Sequence, residues 1–139
     1  MQTKTLMSSE AYCTLPRYAM QRTAFGRTIC EFESVQNLIV DMAMKLDAAR
    51  LLVYRAAVGA GRGFPSMHES AMAKCFANEM VSEVTSAAMQ VLGGYGYSKE
   101  FPVERMHRDA LAWRVAGGTV QMLRITMASI LFARRFDQR

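Results

Sequence analysis

Cysteine and histidine are scarce in this chain of 139 residues, which holds three cysteines and two histidines. Cys13, Cys30 and Cys75 are odd in number and show no C-x-x-C spacing, which does not suit a disulfide framework. Neither His68 nor His107 has a carboxylate or a second histidine at metal-ligand spacing. We therefore expect reduced thiols in an intracellular protein and no bound metal.

Long apolar runs and nucleophile motifs are absent too. No uninterrupted apolar stretch approaches the roughly 20 residues that span a bilayer, so we predict no membrane span. No serine or cysteine lies in a nucleophile elbow, which leaves nucleophilic catalysis without local support. The first 17 residues hold one acid, Glu10, beside Lys4 and Arg17, a composition that resembles a targeting presequence only weakly.

Clusters of like charge are missing, although the net charge is +5 and the pI is near 9.4. Such a charge attracts nucleic acid, anionic membranes or a phosphate-bearing cofactor, and by itself it does not choose among them. The arginines are spread from Arg17 to Arg139 with acids between them, and the only adjacent pair is Arg134 and Arg135. This distribution argues against a nucleic-acid surface.

What the sequence does contain is helical periodicity. A first apolar stripe begins after Ser34 and should stop near Gly59, where further glycines and Pro65 follow. We expect Ser66 to cap a second long helix, with Glu69 completing a capping box. Glycines at 93 and 94 then end this helix. The two stripes comprise Val35, Leu38, Ile39, Met42, Leu46, Ala49 and Val53, then Met72, Phe76, Met80, Val84, Ala87 and Val91.

Two shorter helices complete the pattern. After an aromatic-rich loop at 95–97, Pro102 suits the first turn of a helix through Ala112. Thr119 should cap a last helix after a glycine break. The predicted inner face of this helix is Val120, Leu123, Met127, Ile130 and Leu131.

The predicted fold is all-α, an antiparallel (up-and-down) four-helix bundle over residues 17–139, with no sheet. Twelve methionines suit the core of such a bundle, although they also suit an adaptable contact surface. Pro16 would break a helix that spanned it, so a first, shorter helix should begin at or after Pro16. We expect residues 1–16 to be a disordered or fraying segment.

Three short segments are candidate binding sites. Arg22 precedes a glycine turn and could pair with a pyrophosphate, or be an ordinary solvated arginine. The glycines at 93 and 94 would let a ligand approach the backbone, or simply form a C-cap; no strand precedes them, so this is not a dinucleotide fingerprint. The segment from Gly117 to Gln121 places free N–H groups at a helix N-terminus. These groups could bind an anion, or the segment could simply cap the helix. Taken alone, each segment favours its ordinary structural interpretation, which is a solvated arginine, a glycine C-cap and a helix cap, respectively.

Taken together and in order, these segments closely resemble the acyl-CoA dehydrogenase family, specifically its C-terminal helical domain. The resemblance covers about residues 17–135. It rests on the run YAMQRTAFG at 18–26 and on residues 35–36, 41–43, 48–51, 71–74, 90–97, 102–105, 108–110, 118–119 and 124.

The resemblance implies an FAD-dependent oxidation of acyl-CoA to 2-enoyl-CoA. In that chemistry a carboxylate removes the alpha proton while the beta hydrogen leaves as hydride to the flavin. Arg22 and Phe25 would contact the FAD of a neighbouring subunit, and Gly118 would lie near the substrate thioester. The full set of implied FAD contacts is Arg22, Phe25, Gln90, Gly93, Gly94, Thr119 and Gln121.

The chain departs from the family pattern at the catalytic base. The family often has glutamate directly before the Gly-Thr pair, and Gly117 stands there. Branches without that glutamate take the base from an earlier helix, at a position that would fall upstream of Met1. Glu10 does not match that position, and Glu33 stands where glutamine is common. We therefore assign no catalytic residue in this chain.

The amino-terminal helical domain and the middle β-domain of the family have no counterpart in the sequence. We expect a fragment, a truncated product or one half of a split enzyme, inactive by itself and partnered by a separate chain that carries those domains. The resemblance also implies a homodimer or homotetramer and a bacterial cytoplasm or mitochondrial matrix. The alternative is a non-catalytic helical interaction module derived from the family.

Overall fold

The structure is a computed structural model that describes residues 12–136. The predicted disordered or fraying segment covers residues 1–16. Its residues 1–11 lie outside the described residues, whereas Leu15 is buried and begins the first helix, one residue before the predicted start at Pro16. The elements in chain order are α1 (Leu15–Gln21), β1 (Thr23–Ala24), β2 (Arg27–Thr28), a 3-10 turn (Ile29–Glu31), α2 (Glu33–Gly59), α3 (Met67–Leu92), α4 (Gly94–Tyr97), α5 (Pro102–Trp113) and α6 (Val120–Leu131).

Helix α3 is the centre of the fold, because it packs against α2, α5 and α6. The ion pairs Lys45–Glu83 (2.7 Å) and Arg55–Glu69 (4.0 Å) show that α2 and α3 run antiparallel. The all-α fold class is confirmed. Apolar side chains from α1, α2, α3 and α5 form the core, where each buried leucine or methionine contributes about 1.5–3 kcal/mol. This core contains Leu15, Met42, Leu46, Ala49, Met80, Val84, Ala88, Val91, Leu92, Val103 and Met106.

The helix boundaries follow the caps that the sequence predicts. The Ser66 hydroxyl accepts a hydrogen bond from the Glu69 amide, and the Thr119 hydroxyl accepts one from the Met122 amide, each at 3.2 Å. Only half of the predicted capping box at Ser66 forms, since the Glu69 carboxylate accepts from the Ser66 hydroxyl rather than from its amide. Both N-cap predictions are nevertheless confirmed.

The prediction of no sheet is wrong at one point, because residues 23–28 form a two-stranded antiparallel hairpin. Phe25 (φ 52°) and Gly26 (φ 79°) form its turn. Positive φ at both central residues is the mark of a type I′ hairpin turn, and phenylalanine rarely occupies the first of these positions. The hairpin is therefore a feature that turn-residue statistics would miss.

The predicted loop at residues 95–97 is also wrong, because these residues complete the one-turn helix α4. Gly96 is buried against the last turns of α3, and a Cβ added there would lie 2.6 Å from the Met89 carbonyl oxygen. Gly93, with φ of 59°, reverses the chain between the two helices. The close contact at Gly96 is what lets α4 pack directly on α3.

The predicted inner face of α6 is correct in its first half only. Val120 is buried and both Leu123 and Met127 are half-buried, but Ile130 is 44% exposed and Leu131 is 71% exposed. Helix α3 is the one described element with extensive contacts to α6. The last turn of α6 therefore has no second helix to cover it.

Candidate functional site

A cleft of about 570 Å³ opens where α3 ends and α4 begins. Arg22 reaches it from α1, and the glycines at 93 and 94 form part of its wall. The cleft thus joins two of the three predicted candidate segments. Its lining is Tyr18, Arg22, Ile29, Val91, Leu92, Gly93, Gly94, Tyr95, Ser98 and Glu100.

The backbone is accessible at Gly93 and Gly94. Both residues are exposed, and a Cβ added at either one would meet no heavy atom within 4 Å. A ligand can therefore approach these peptide groups as closely as hydrogen bonding requires. The segment ends α3 as a C-cap and also leaves its backbone open to a ligand. The C-cap interpretation and the ligand-binding interpretation are therefore compatible.

Aromatic rings position Arg22 beside these glycines. The Arg22 guanidinium carbon lies 5.8 Å from the centre of the Tyr95 ring. That ring stacks on Phe101 at 5.0 Å and meets Tyr18 edge-on at 6.4 Å. The Tyr18 hydroxyl donates to the Leu92 carbonyl at 3.4 Å, which ties α1 to the end of α3. The charged group of Arg22 is exposed but stands over an ordered aromatic surface.

Two other predicted FAD contacts lie at the margin of this region. Phe25 is 97% exposed at the hairpin tip, where its ring meets Phe32 edge-on at 6.3 Å. Gln90 is exposed on the last turn of α3, and neither residue lines the cleft. Phe25 is therefore an exposed phenylalanine in a backbone conformation that residues other than glycine rarely adopt.

The base of the hairpin is held by a capping box at Thr28 and Glu31. The Thr28 hydroxyl donates to the Glu31 carboxylate at 2.7 Å, and the Thr28 amide donates to it at 3.1 Å. These two hydrogen bonds lower the pKa of Glu31 from its usual value of 4.5. The carboxylate is thus charged at neutral pH, and it holds the turn that follows β2.

The remaining predicted site residues lie around the start of α6. The Lys74 ammonium on α3 donates a hydrogen bond to the Gly117 carbonyl. A Cβ added at Gly117 would lie 3.1 Å from that nitrogen, and φ is 63° at Gly117 and 96° at Gly118. Thr119 caps α6, and Gln121 is exposed in its first turn.

Lys74 is a residue that the sequence reasoning did not single out as a site residue. It lies among small residues that are buried on α3, namely Ala71, Ala73, Cys75 and Ala77. A lysine can bury its stem and still leave its ammonium group in water, so this run by itself does not predict the contact with Gly117.

An ion pair holds α6 on α3 close to Lys74. The Arg124 Nη2 donates to both carboxylate oxygens of Glu79, at 2.7 and 2.8 Å. The negative charge of Glu79 raises the pKa of Arg124. With the Lys74–Gly117 contact, this pair fixes the turn at residues 117–119 relative to the middle of α3.

The two groups of predicted site residues are far apart. Lys74 precedes Leu92 by 18 residues on one continuous helix. At about 1.5 Å per residue, the turn at 117–119 and the cleft at Gly93 are separated by roughly 27 Å along α3. One compact site in a single chain does not include both groups.

Among residues 12–136, no helix is long and apolar enough to cross a membrane. Within the same residues, no group of three or more histidine, cysteine or acidic side chains is placed to hold a metal ion. The predicted structural role of His107 is supported, since its Nδ1 lies 3.0 Å from the buried Thr85 hydroxyl.

The structure thus defines a helical domain that has an accessible glycine C-cap and an exposed arginine beside it. The family described as "Acyl-CoA dehydrogenase, C-terminal domain" matches residues 5–132. The chain belongs to the acyl-CoA dehydrogenase family, as its sequence predicts.

Individual relatives agree with this assignment. The chain is 47% identical over 115 residues to a probable acyl-CoA dehydrogenase, fadE25, of Mycobacterium leprae, covering 82% of this chain and 30% of the relative. It is 44% identical over 122 residues to a 3-sulfinopropanoyl-CoA desulfinase of Paraburkholderia xenovorans, covering 88% and 31%. The solved butyryl-CoA dehydrogenase of Megasphaera elsdenii superposes with a TM-score of 0.88 at 36% identity, covering 93% and 34%. The chain spans about a third of the length of these proteins.

Proposed function

We propose that this chain is the C-terminal domain of an FAD-dependent acyl-CoA dehydrogenase, which oxidises acyl-CoA to 2-enoyl-CoA. The observation that carries the proposal is the cleft in which Arg22 stands beside the accessible backbone of Gly93 and Gly94. The family to which the chain belongs is FAD-dependent.

The residues of the cleft fit a pyrophosphate-bearing cofactor. Arg22 offers a planar guanidinium that pairs bidentately with phosphate oxygens, and the exposed glycines leave room for a phosphate against the backbone. Phe25 and Gln90 lie at the margin, where they would contact the less polar parts of the same ligand. FAD, when bound, supplies the hydride acceptor of the oxidation.

The second group of residues would serve a different flavin. Thr119 and Gln121 at the start of α6 would contact FAD, and Gly118 would lie near the substrate thioester. Because about 27 Å of α3 separates this group from the cleft, we assign the two groups to two shared flavin sites. Each chain then contributes to its own site and to that of a neighbour, which requires a homodimer or a homotetramer.

The catalytic base lies outside this chain in the proposed enzyme. Gly117 has no side chain to accept a proton, and the Lys74 ammonium occupies the space next to it. A carboxylate from another domain, within hydrogen-bond reach of the alpha carbon, would have to act instead. The same domains would hold the rest of the FAD and the acyl chain, so we infer that the chain alone is inactive.

The relatives and the charge pattern also support a cellular location for the protein. We infer an intracellular protein of a bacterial cytoplasm or a mitochondrial matrix that binds no nucleic acid.

A second candidate function is favoured by the glycine at position 117. A reaction on a CoA thioester that needs no proton abstraction has no use for a base at that position. The 44% identical relative from Paraburkholderia xenovorans bears the name 3-sulfinopropanoyl-CoA desulfinase. We infer that a desulfinase would use the same FAD-binding cleft, and sulfite release from 3-sulfinopropanoyl-CoA would distinguish it from a dehydrogenase.

The experiment is a chimera in which this chain replaces the C-terminal third of the fadE25 relative. We expect a protein that retains FAD through gel filtration and reduces a dye in the presence of acyl-CoA. Arg22→Met should weaken FAD retention by about 10- to 100-fold, because a charged hydrogen bond contributes roughly 1.5–3 kcal/mol. Arg62→Met, an exposed arginine between α2 and α3, is the control. A folded chimera without FAD would contradict the proposal.

A further inference from the structure

The turn between α5 and α6 contains two consecutive glycines in the left-handed region of backbone space. Gly117 has φ of 63° and Gly118 has φ of 96°, and both residues are exposed. Glycine has no Cβ and adopts many conformations that other residues avoid, so a pair of glycines does not define the path of a turn by itself. A contact from outside the turn has to select the conformation that the structure shows.

The Lys74 ammonium group provides such a contact from the middle of α3. It donates a hydrogen bond to the Gly117 carbonyl, and a Cβ built at Gly118 would lie 3.7 Å from the same nitrogen. Lys74 is half-buried, and its chain neighbours Ala73 and Cys75 are 0% and 5% exposed. The charged donor therefore ties the turn to the central helix of the fold, and hydrogen bonds from charged donors are stronger than neutral ones.

The contact of Lys74 acts on the backbone of the turn and not on another charge. The ion pairs found among residues 12–136 all join other side chains. One of them, between Arg124 and Glu79, already attaches α6 to α3. What the Lys74 contact adds to this attachment is control over the peptide group at Gly117.

The hydrogen bond from Lys74 sets the direction of one peptide group. The Gly117 carbonyl and the Gly118 N–H belong to the same trans peptide, in which the two groups point in opposite directions. Because the carbonyl points at Lys74 on α3, the Gly118 N–H points away from α3. Donation to the carbonyl also polarises the peptide, which makes its N–H a stronger donor.

The N–H that Lys74 orients is open to a ligand. Within residues 12–136 the Gly118 N–H forms no backbone hydrogen bond, and Gly118 is exposed. The Val120 amide, by contrast, donates to the Arg114 carbonyl at 3.2 Å. The direction that Lys74 gives to the peptide therefore determines where this open donor points.

We propose that Lys74 is a positioning residue for the oxidation of acyl-CoA, and that it orients the Gly117–Gly118 peptide so that the Gly118 N–H faces the thioester. This inference rests on the proposed function, which puts Gly118 near that group. The thioester carbonyl oxygen gains negative charge as the alpha proton leaves, and an N–H already aimed at that oxygen stabilises the charge. Lys74 itself touches neither the substrate nor the flavin, and it acts through the peptide.

The test compares two substitutions of Lys74 in the chimera of the proposed function. Lys74→Met keeps an apolar stem and removes the N–H donors, whereas Lys74→Arg keeps a charged donor. We expect Lys74→Met to lower kcat about 10-fold or more and to change KM less than about threefold, because the oriented N–H acts mainly in the transition state. Lys74→Arg should retain most of the wild-type kcat. The control is Arg62→Met, which should leave both constants unchanged because Arg62 is exposed between α2 and α3.

A second measurement uses the full chain without flavin or substrate. In nuclear magnetic resonance, the 13C chemical shift of the Gly117 carbonyl should differ between wild type and Lys74→Met, because the carbonyl loses its charged donor. The amide order parameters of Gly117 and Gly118 should fall from about 0.85 toward about 0.6 in Lys74→Met as the turn loosens. Lys74→Arg should resemble wild type in both respects.

Each contrary outcome overturns a different claim. A folded wild-type chimera that neither retains FAD nor oxidises acyl-CoA would overturn the proposed function, whereas the magnetic resonance result would still test the contact of Lys74 with Gly117. An active chimera whose kcat is unchanged by Lys74→Met would overturn the role of Lys74 alone. Equal losses of kcat in folded Lys74→Met and Lys74→Arg would overturn the hydrogen bond as the cause. Loss of helical circular dichroism in Lys74→Met would assign Lys74 to folding instead of positioning.

Discussion

Two glycines in α4, just after the end of α3, differ in what surrounds them. A Cβ at Gly94 would point into open space, whereas one at Gly96 would lie 2.6 Å from the Met89 carbonyl oxygen and 2.7 Å from the Met89 Cα. Both glycines occur in the same short motif, and the sequence does not tell them apart. Gly94 is available for ligand contact, while Gly96 permits the close packing that shapes the cleft.

Substitution of these glycines should therefore have different effects on stability. We expect Gly96→Ala to lower the free energy of unfolding by about 1–3 kcal/mol, because backbone atoms of α3 would have to move. Gly94→Ala should change it by no more than about 0.5 kcal/mol. Urea denaturation of both variants measures the difference. Equal effects would contradict the close contact at Gly96.

At the scale of elements, α6 is attached to α3 mainly through contacts at its amino-terminal end. Thr119 caps the helix, Lys74 donates to the preceding carbonyl, and the Glu79–Arg124 pair follows one turn later. The far end, by contrast, leaves Leu131 and Phe132 each 71% exposed. The contacts that fix α6 are therefore concentrated next to the residues proposed to contact flavin and thioester.

Removal of the cap should loosen this end of the helix. We expect Thr119→Ala to lower the free energy of unfolding by about 0.5–2 kcal/mol, since the Met122 amide loses its partner. Amide hydrogen exchange in the first turn of α6 should rise with it. Thr126→Ala is the control, because the Thr126 hydroxyl bonds only to the Met122 carbonyl within the helix. A neutral Thr119→Ala variant would show that water replaces the cap.

At the scale of the whole molecule, the proposed site residues form two groups at distant positions along α3. One group surrounds the cleft at Gly93, and the other surrounds the turn at Gly118. Neither group encloses a ligand within this chain, because the cleft is open and the turn is exposed. In the proposed enzyme, complete sites would require other domains and a neighbouring subunit.

The isolated chain should accordingly be colourless and inactive. We expect no stoichiometric FAD after gel filtration and no dye reduction with acyl-CoAs of several lengths, since most flavin contacts are missing. Gly117→Glu should not confer turnover, and it should cost about 1–3 kcal/mol of stability because φ there is 63°. Gly117→Gln, with the same strain and no acid, is the control. Turnover by Gly117→Glu but not by Gly117→Gln would contradict the assignment of the base to another domain.

The sequence by itself determined the family, the all-α class and most helix boundaries. These properties depend on local signals, namely apolar spacing along α2 and α3, hydroxyl caps at Ser66 and Thr119, and glycines after the helix ends. The candidate site residues also came from the sequence, through motif order, and their ligand contacts stay predictions.

Only the tertiary structure decided how those residues are distributed. Which glycine faces solvent and which meets the Met89 backbone depends on the packing of α4 on α3. The hairpin at Phe25, the contact of Lys74 with Gly117 and the exposure of Leu131 likewise depend on neighbours distant in sequence. A local sequence pattern indicates which structures a residue favours. The packing of segments distant in sequence determines how much space surrounds that residue and which groups it contacts.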